Sequence, residues 1–248
     1  MKIKGMLLSL LFPNNCAFCK KGVAYNVTET YICDECMEKL TFCIRSHRCS
    51  LCGTPIDNPE YSLCSECFIR KKNGIRIYFN RITAPIVYDN FSKNAVICLK
   101  NEMFLGAVLT FCHMIESMVK SDFEGVDFDY IVSVPPRQER MRETNFDQAE
   151  IIAANLAKIM RIKYIPKCMK RLRKTEKQSE LSFWERNANL DGAFGLRRHD
   201  GRFKDKTILV IDDVCTTGST MNECARVLKQ KGGAAKVYGA AIAKTVKA

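Results

Sequence analysis

Histidine is scarce in this chain. There are three in 248 residues, at positions 47, 113 and 199, and none sits in a motif. General acid–base chemistry through imidazole therefore finds no support. No run of about 18 apolar residues occurs, which argues against a membrane-spanning helix and against membrane insertion. The apolar stretch Met6–Phe12 follows two lysines but is short, and no Ala-x-Ala site comes after it. It reads as a short helix packed on the protein rather than a secretory leader, and the expected location is the cytoplasm. Acidic residues are outnumbered, 27 Asp and Glu against 39 Lys and Arg, for a formal net charge of +12. Large apolar residues are also few in the segment of about 60 residues that follows the Met6–Phe12 stretch, too few for it to build a core of its own.

Cysteine fills that gap. The chain has 14, and eight fall into four Cys-x2-Cys pairs: Cys16/Cys19, Cys33/Cys36, Cys49/Cys52 and Cys64/Cys67. A Cys-x2-Cys turn aims two thiolates at one ion, and two such turns complete a tetrahedral Zn(Cys)4 site. The spacing thus argues for two structural zinc ions rather than disulfides. The halves repeat at an offset of about 33 positions. Sequential pairing, first with second and third with fourth, follows from that repeat, and a cross-braced pairing stays open. Gly22 and Gly53 lie where a tight knuckle needs positive φ. His47 lies between the pairs, but eight cysteines already satisfy two sites. Cys43, Cys98, Cys112, Cys168 and Cys224 read as small buried hydrophobes.

Zinc changes the charge map. Each Zn(Cys)4 centre carries a net charge of about −2, so residues 1–75, with ten basic and seven acidic side chains, end near neutrality. The positive excess lies further on. Arg137 to Lys177 holds twelve basic and five acidic residues. That stretch suits pyrophosphate, nucleic acid or both, or is a solvated face.

The most informative segment is Ile208 to Thr220. Four apolar, mostly β-branched residues read as a buried parallel strand. Asp212 and Asp213 follow at its end, then Val214 and Cys215, then Thr216, Thr217, Gly218, Ser219 and Thr220 leading into a helix with Cys224, Ala225 and Leu228 on one face. Ligands of open α/β sheets sit at the carboxyl ends of strands. A hydroxyl-rich turn at a helix N-terminus offers N–H groups to phosphate, and paired carboxylates accept hydrogen bonds from neighbouring sugar hydroxyls. Together they describe a ribose 5-phosphate pocket, with helix capping by the Asp pair as the plainer reading. Cys215 reads as a packing residue.

Elsewhere, 16–67 is the zinc region and 69–74 a polar linker, giving domains at 1–74 and 75–248. Strands are expected at Arg81–Tyr88, Tyr130–Val134, Ile208–Ile211 and Lys236–Ala243, with helices at Leu105–Lys120, Asp147–Met160 and Thr220–Lys231. Strand–helix alternation predicts an α/β fold, a mostly parallel sheet with helices on both faces. Pro135, Pro136, Arg137, Arg140 and Arg142 form a strand-end loop suited to pyrophosphate. Arg171, Arg173, Lys174 and Gln178 belong to a long basic segment suited to a cover or to nucleic acid. Trp184 beside Phe183 either stacks on a base or anchors that segment by burial.

The Asp212–Thr220 segment resembles the phosphoribosyl-pyrophosphate (PRPP) motif of type I phosphoribosyltransferases. The resemblance assigns Asp212 and Asp213 to the ribose hydroxyls and the following loop to the 5′-phosphate, with magnesium accompanying PRPP. Taken with the Cys pairs, Leu99-Lys100, Val134-Pro135, Phe146-x-Gln148-Ala149-Glu150, Thr175-x2-Gln178-x2-Leu181 and Arg186-x2-Asn189, the chain resembles the ComF family over nearly its whole length. That resemblance implies a double zinc ribbon before a phosphoribosyltransferase-like domain, a role in DNA uptake through single-stranded DNA, and competence or DNA-processing proteins as partners. An active phosphoribosyltransferase of unknown acceptor is the alternative. The chain departs from the family at Thr144-Asn145-Phe146-Asp147-Gln148, where Arg-Gly-Phe-Asn-Gln is usual.

Overall fold

Ile208, Leu209, Val210 and Ile211 are completely buried, and they alternate between two cores. A strand buried on both faces lies inside a layered α/β fold. The computed structural model describes residues 14–23, 31–101, 105–136, 147–175, 185 and 189–246.

Two short strands, β1 (Asn14–Asn15) and β2 (Gly22–Val23), form an antiparallel knuckle, followed by helix α1 (Asp34–Lys39), a 3-10 turn at Cys43–Arg45 and helix α2 (Ser65–Lys72). The sheet then begins with β3 (Ile82–Thr83) and β4 (Ile86–Val87). Helices α3 (Asn90–Asn101) and α4 (Leu105–Asp122), strand β5 (Tyr130–Ser133), helix α5 (Gln148–Met160) and the short strands β6 (Lys163–Tyr164), β7 (Met169–Arg171) and β8 (Phe194–Leu196) follow. Strand β9 (Thr207–Cys215), helix α6 (Ser219–Gln230) and strand β10 (Lys236–Lys244) close the chain.

The main sheet runs β3-β10-β9-β5-β6, with β4 also on β10, and every pairing in it is parallel. One face carries Leu209, Ile211, Ala240 and Ile242 against Phe111 and Ile115 of α4 and Ile152 and Leu156 of α5. The other carries Ile208, Val210 and Ala241 against Met221, Cys224 and Leu228 of α6. Burying a Leu or Ile side chain contributes about 1.5–3 kcal/mol each, so these two layers supply the bulk of the apolar stabilisation.

The parallel sheet and both of its helical layers match the sequence expectation. Four local readings change. The strand foreseen at Arg81–Tyr88 is two short pieces, because Pro85 between them has no N–H to donate. Strand β9 continues through both aspartates to Cys215, since Val214 and Cys215 pair with Ala243 and Lys244. The segment 69–74 is not a linker: its first four residues finish helix α2, and Arg70 is completely buried. Gly53 does take positive φ (+70°), with the carbonyl oxygen of Ile82 only 2.8 Å from where a Cβ would stand, but Gly22 does not. In the first knuckle the left-handed residue is Lys20, at φ 62°. The Met6–Phe12 helix lies outside the described residues.

Candidate functional site

The cysteines form two clusters. Sγ atoms of Cys16, Cys19, Cys33 and Cys36 lie within 4.8 Å of one another, and so do those of Cys49, Cys52, Cys64 and Cys67. A tetrahedron with Zn–S bonds of about 2.3 Å has edges of about 3.8 Å; the Cys19–Cys33 and Cys52–Cys64 pairs stand at 3.6 and 3.5 Å. Both clusters therefore fit zinc ribbon sites, in the sequential pairing. The halves share a backbone scheme as well. Cys16 N–H donates to Lys21 O at 2.7 Å and Lys20 N–H to Cys16 O at 3.0 Å, and the same bonds recur from Cys49 to Thr54 (2.8 Å) and from Gly53 to Cys49 (3.0 Å). In each half the third cysteine, Cys33 or Cys64, is the N-cap of a helix that carries the fourth in its first turn. His47 is not a ligand; its Nε2 bonds the Tyr61 carbonyl at 2.9 Å.

The first cluster enters one core layer, where Phe18 stacks on Phe91 with ring centroids 5.6 Å apart and meets Phe111 edge-on. The second lies against the sheet end that leads into α6.

At that end β9 turns into the loop Thr216–Gly218. Gly218 is the N-cap of α6 at φ 77°, a conformation that glycine adopts without steric cost. Asp212 is buried and its Oδ1 accepts from Asp213 N–H at 2.8 Å; Asp213 Oδ1 accepts from Val214 N–H at 2.8 Å. Asp213, Val214, Thr216 and Thr220 are half-buried. Thr217 and Ser219 are buried, and their hydroxyls bond each other at 2.8 Å. Ser219 Oγ also accepts from the Arg70 guanidinium at 2.7 Å. These two hydroxyls thus turn into the protein, which leaves the outer face of the loop to Thr216, Thr220 and backbone. Beneath it, the completely buried Lys244 donates to the Thr216 carbonyl and, at 3.4 Å, to Cys215 Sγ. Burial pushes the Cys215 thiol up, in keeping with a packing role. Burial likewise raises the thiols of Cys43, Cys112 and Cys168 to about 12.

One strand over, Val134 N–H donates to Ile211 O at 3.0 Å, which sets the end of β5 beside the residue that precedes the Asp pair. A cavity of about 460 Å³ opens there, bordered by Pro135 and Pro136, by Lys167, Lys170 and Arg171, and by Asp147. Arg171 acts as its strut. Its Nε donates to the Pro135 and Pro136 carbonyls at 3.1 Å, its Nη1 to Thr175 Oγ1 at 2.6 Å, and its guanidinium covers the Phe194 ring at 4.8 Å. Arg173 and Lys174 beyond it are exposed. Asp147, one of the departures noted above, caps α5, its Oδ1 accepting from Ala149 N–H at 3.1 Å. Arg137, Arg140, Arg142, Gln178, Phe183 and Trp184 lie outside the described residues.

Residues 7–68 match the double zinc ribbon domain and residues 147–245 the phosphoribosyl transferase domain. Competence protein ComFC of Bacillus subtilis is similar from end to end, 26% identical over 240 residues that cover 90% of this chain and 91% of that protein. These matches support assignment to the ComF family. Two other relatives align over shorter stretches. Competence protein F of Haemophilus influenzae is 32% identical over 102 residues, 41% of this chain and 44% of its own length. DNA utilization protein YhgH of Escherichia coli is 35% identical over 107 residues, 43% and 46%. The matched stretches thus span less than half the length of those two proteins. The fold is a phosphoribosyltransferase-like parallel sheet joined to a Cys-rich zinc-ribbon region, and among the described residues no helix is long and apolar enough to cross a membrane.

Sequence reasoning missed Arg70 and Lys244. Arg70 follows Cys67 by three residues, so helical spacing puts it on the face of its own metal ligand. That was the available signal, hidden in a run, Arg70-Lys71-Lys72, that looks solvated.

Proposed function

We propose that this ComF protein is a cytoplasmic PRPP-binding protein in which a zinc-ribbon unit (1–74) supports a phosphoribosyltransferase-type unit (75–248). It would handle single-stranded DNA during DNA uptake, beside competence or DNA-processing proteins. One observation carries the ligand: the Asp212–Asp213 pair lies near the end of a central parallel strand, with Val214 and Cys215 between it and the loop at the N-terminus of a 12-residue helix. Carboxylates suit vicinal hydroxyls, and the helix N-terminus suits phosphate. Magnesium is a hard cation that binds substrate phosphates more readily than all-protein cages, so it would arrive with the diphosphate.

Asp212→Asn and Asp213→Asn are each expected to weaken PRPP binding by about 1.5–3 kcal/mol, the contribution of a charged hydrogen-bond acceptor, with the fold intact. Calorimetric titration with magnesium present tests this, and unchanged affinity in both variants would remove the ribose assignment.

The names of the relatives and the basic stretch 137–177 support the DNA role. Arg173, which donates to the Asp191 carbonyl at 2.9 Å, and Lys174 are exposed there, and Arg171 is half-buried against Pro135, Pro136 and Phe194. Neutralising Arg173 and Lys174 together should weaken oligonucleotide binding at every sequence and lower the salt slope by about 0.7 per lost contact, roughly 1.4 in all. PRPP affinity should hardly change. An identical slope in wild type and double variant would mean that this edge is only a solvated face.

The cavity at the end of β5 favours a second reading, transfer of ribose 5-phosphate to an acceptor. The ribose C1–O bond to pyrophosphate would break, pyrophosphate would leave with the electron pair, and the acceptor would bond to C1. Carboxylates nearby stabilise the positive charge that develops on the sugar. Pyrophosphate release from PRPP, assayed against a panel of bases and amines, tests it.

A further inference from the structure

We propose that Arg70 is a positioning residue that ties the second cysteine cluster to the Thr216–Ser219 loop, so that the loop's ligand-binding shape depends on that cluster. The inference rests on the reading of this loop as the phosphate site.

Arg70 lies in α2, the helix whose N-cap is Cys64 and whose first turn holds Cys67. Its side chain is completely buried, and Nη2 donates to Ser219 Oγ at 2.7 Å and to the Thr217 carbonyl at 3.3 Å. One nitrogen thus holds both ends of the turn. The Thr217–Ser219 hydroxyl pair is fixed at the same point, and Ser219 N–H leans on Thr217 Oγ1 at 3.4 Å. A guanidinium is a planar fork with fixed donor directions, so it sets geometry as well as charge. Pulling the carbonyl and hydroxyls inward leaves backbone N–H groups and the Thr216 and Thr220 side chains for the outer face.

A second route links the same two places. Ile82 N–H donates to Leu51 O in the knuckle at 2.8 Å, and Ile82 O lies so close to Gly53 that no Cβ fits there. The far end of Ile82, Cδ1, stands 3.1 Å from where a Gly218 Cβ would be. A cavity of about 160 Å³ has Cys64 and Glu66 on one side and Thr216 and Thr245 on the other. Knuckle and helix of the second ribbon therefore both bear on the loop, while the first ribbon packs among Phe91 and Phe111 in the opposite layer. The two metal sites, alike in sequence, have different duties.

The test has two arms, each on the full-length zinc-loaded protein. In the first, amide hydrogen exchange is followed by mass spectrometry in wild type, Arg70→Lys and Arg70→Met. Exchange at 216–220 should speed up about tenfold in Arg70→Met and less in Arg70→Lys, which keeps the charge but loses the fork. Zinc content and exchange in the first ribbon should stay at wild-type levels. In the second arm PRPP with magnesium is titrated calorimetrically, and affinity should fall about tenfold in Arg70→Met with partial recovery in Arg70→Lys. Unchanged loop exchange in the variants overturns the inference, whatever the ligand does. If neither variant folds, the wild type alone decides: loop amides that exchange as freely as an unstructured peptide overturn it, and protected ones support it. A wild type that fails to bind PRPP overturns the phosphate-site reading, and with it the ligand half of this inference, but leaves the exchange result to judge the Arg70 link.

Discussion

Asp122→Ala is expected to cost about 3–5 kcal/mol, the penalty for stripping one partner from a buried ion pair. Asp122 ends α4, and its side chain is 3% exposed. Arg48, the residue before Cys49, grips both of its oxygens at 2.7 Å, and the Thr83 hydroxyl donates to one of them. Arg81 lies 3.7 Å from the carboxylate and donates to the Asp122 carbonyl at 2.8 Å. One carboxylate thus joins the second ribbon, the edge strand β3 and a core helix, and its loss leaves the half-buried Arg48 without this partner. Burial works against the charged carboxyl, but the hydrogen bonds from Arg48 and Thr83 outweigh it and hold the pKa below its ordinary value of 3.8. The stabilisation is therefore fully present above that ordinary value and is lost as pH falls through it toward the lowered folded pKa. Thiolates at the metal centres also take up protons in acid. For this reason the difference between wild type and Asp122→Asn isolates the carboxylate better than either curve does. Urea unfolding at neutral pH checks the magnitude, and a loss below about 1 kcal/mol would reduce the contact to the level of a solvated pair.

Metal removal should have a larger effect still. Structural zinc contributes apparent binding energies of about 10–16 kcal/mol at neutral pH in isolated fingers, and where no site exists in the unfolded chain that energy is folding energy. Both ribbons lie within the protein's packing: Cys16 and Cys36 belong to one core layer and Cys49, Cys52, Cys64 and Cys67 form a buried cluster of their own. Carefully purified protein should hold two zinc ions per chain, and fewer than about 1.5 would reject the two-site arrangement. Cys19→Ser and Cys36→Ser should each release the same single ion, and Cys52→Ser and Cys64→Ser the other. Loss of both ions from one substitution would contradict the separate clusters. Chelation should lower the melting temperature of the whole chain in one transition, since the ribbons share side-chain contacts with the sheet.

Much of this was legible in the chain before any fold was known. The eight ligand cysteines announce themselves because a metal site needs its donors three positions apart on a tight turn, and that requirement is local. The run Ile208–Ile211 reads as a central strand because both of its faces must be apolar. Asp147 reads as a helix start because a carboxylate caps the first free N–H groups, and its Oδ1 does so at Ala149. Other elements carried no such signature. Strands β7 and β8 are three residues each, too short to show a period, and exist because they pair with one another. The extension of β9 through Asp212 and Asp213 depends on Ala243 and Lys244 lying alongside.

Tertiary structure alone decided which polar residues face inward. Arg70 looked solvated among Lys71 and Lys72, yet it meets a loop 147 residues away. The hydroxyls of Thr217 and Ser219, read from sequence as facing a phosphate, bond each other here, and Ser219 Oγ accepts from Arg70. Sequence patterns report what a residue needs from neighbours within a turn or two of chain. A buried charge is permitted only by partners that chain closure delivers, and no local pattern encodes them. The sequence by itself therefore determined the metal sites, the parallel sheet and the loop at its end, because each follows from short-range spacing. The side chains that hold the second ribbon to that loop were determined by packing across the whole chain.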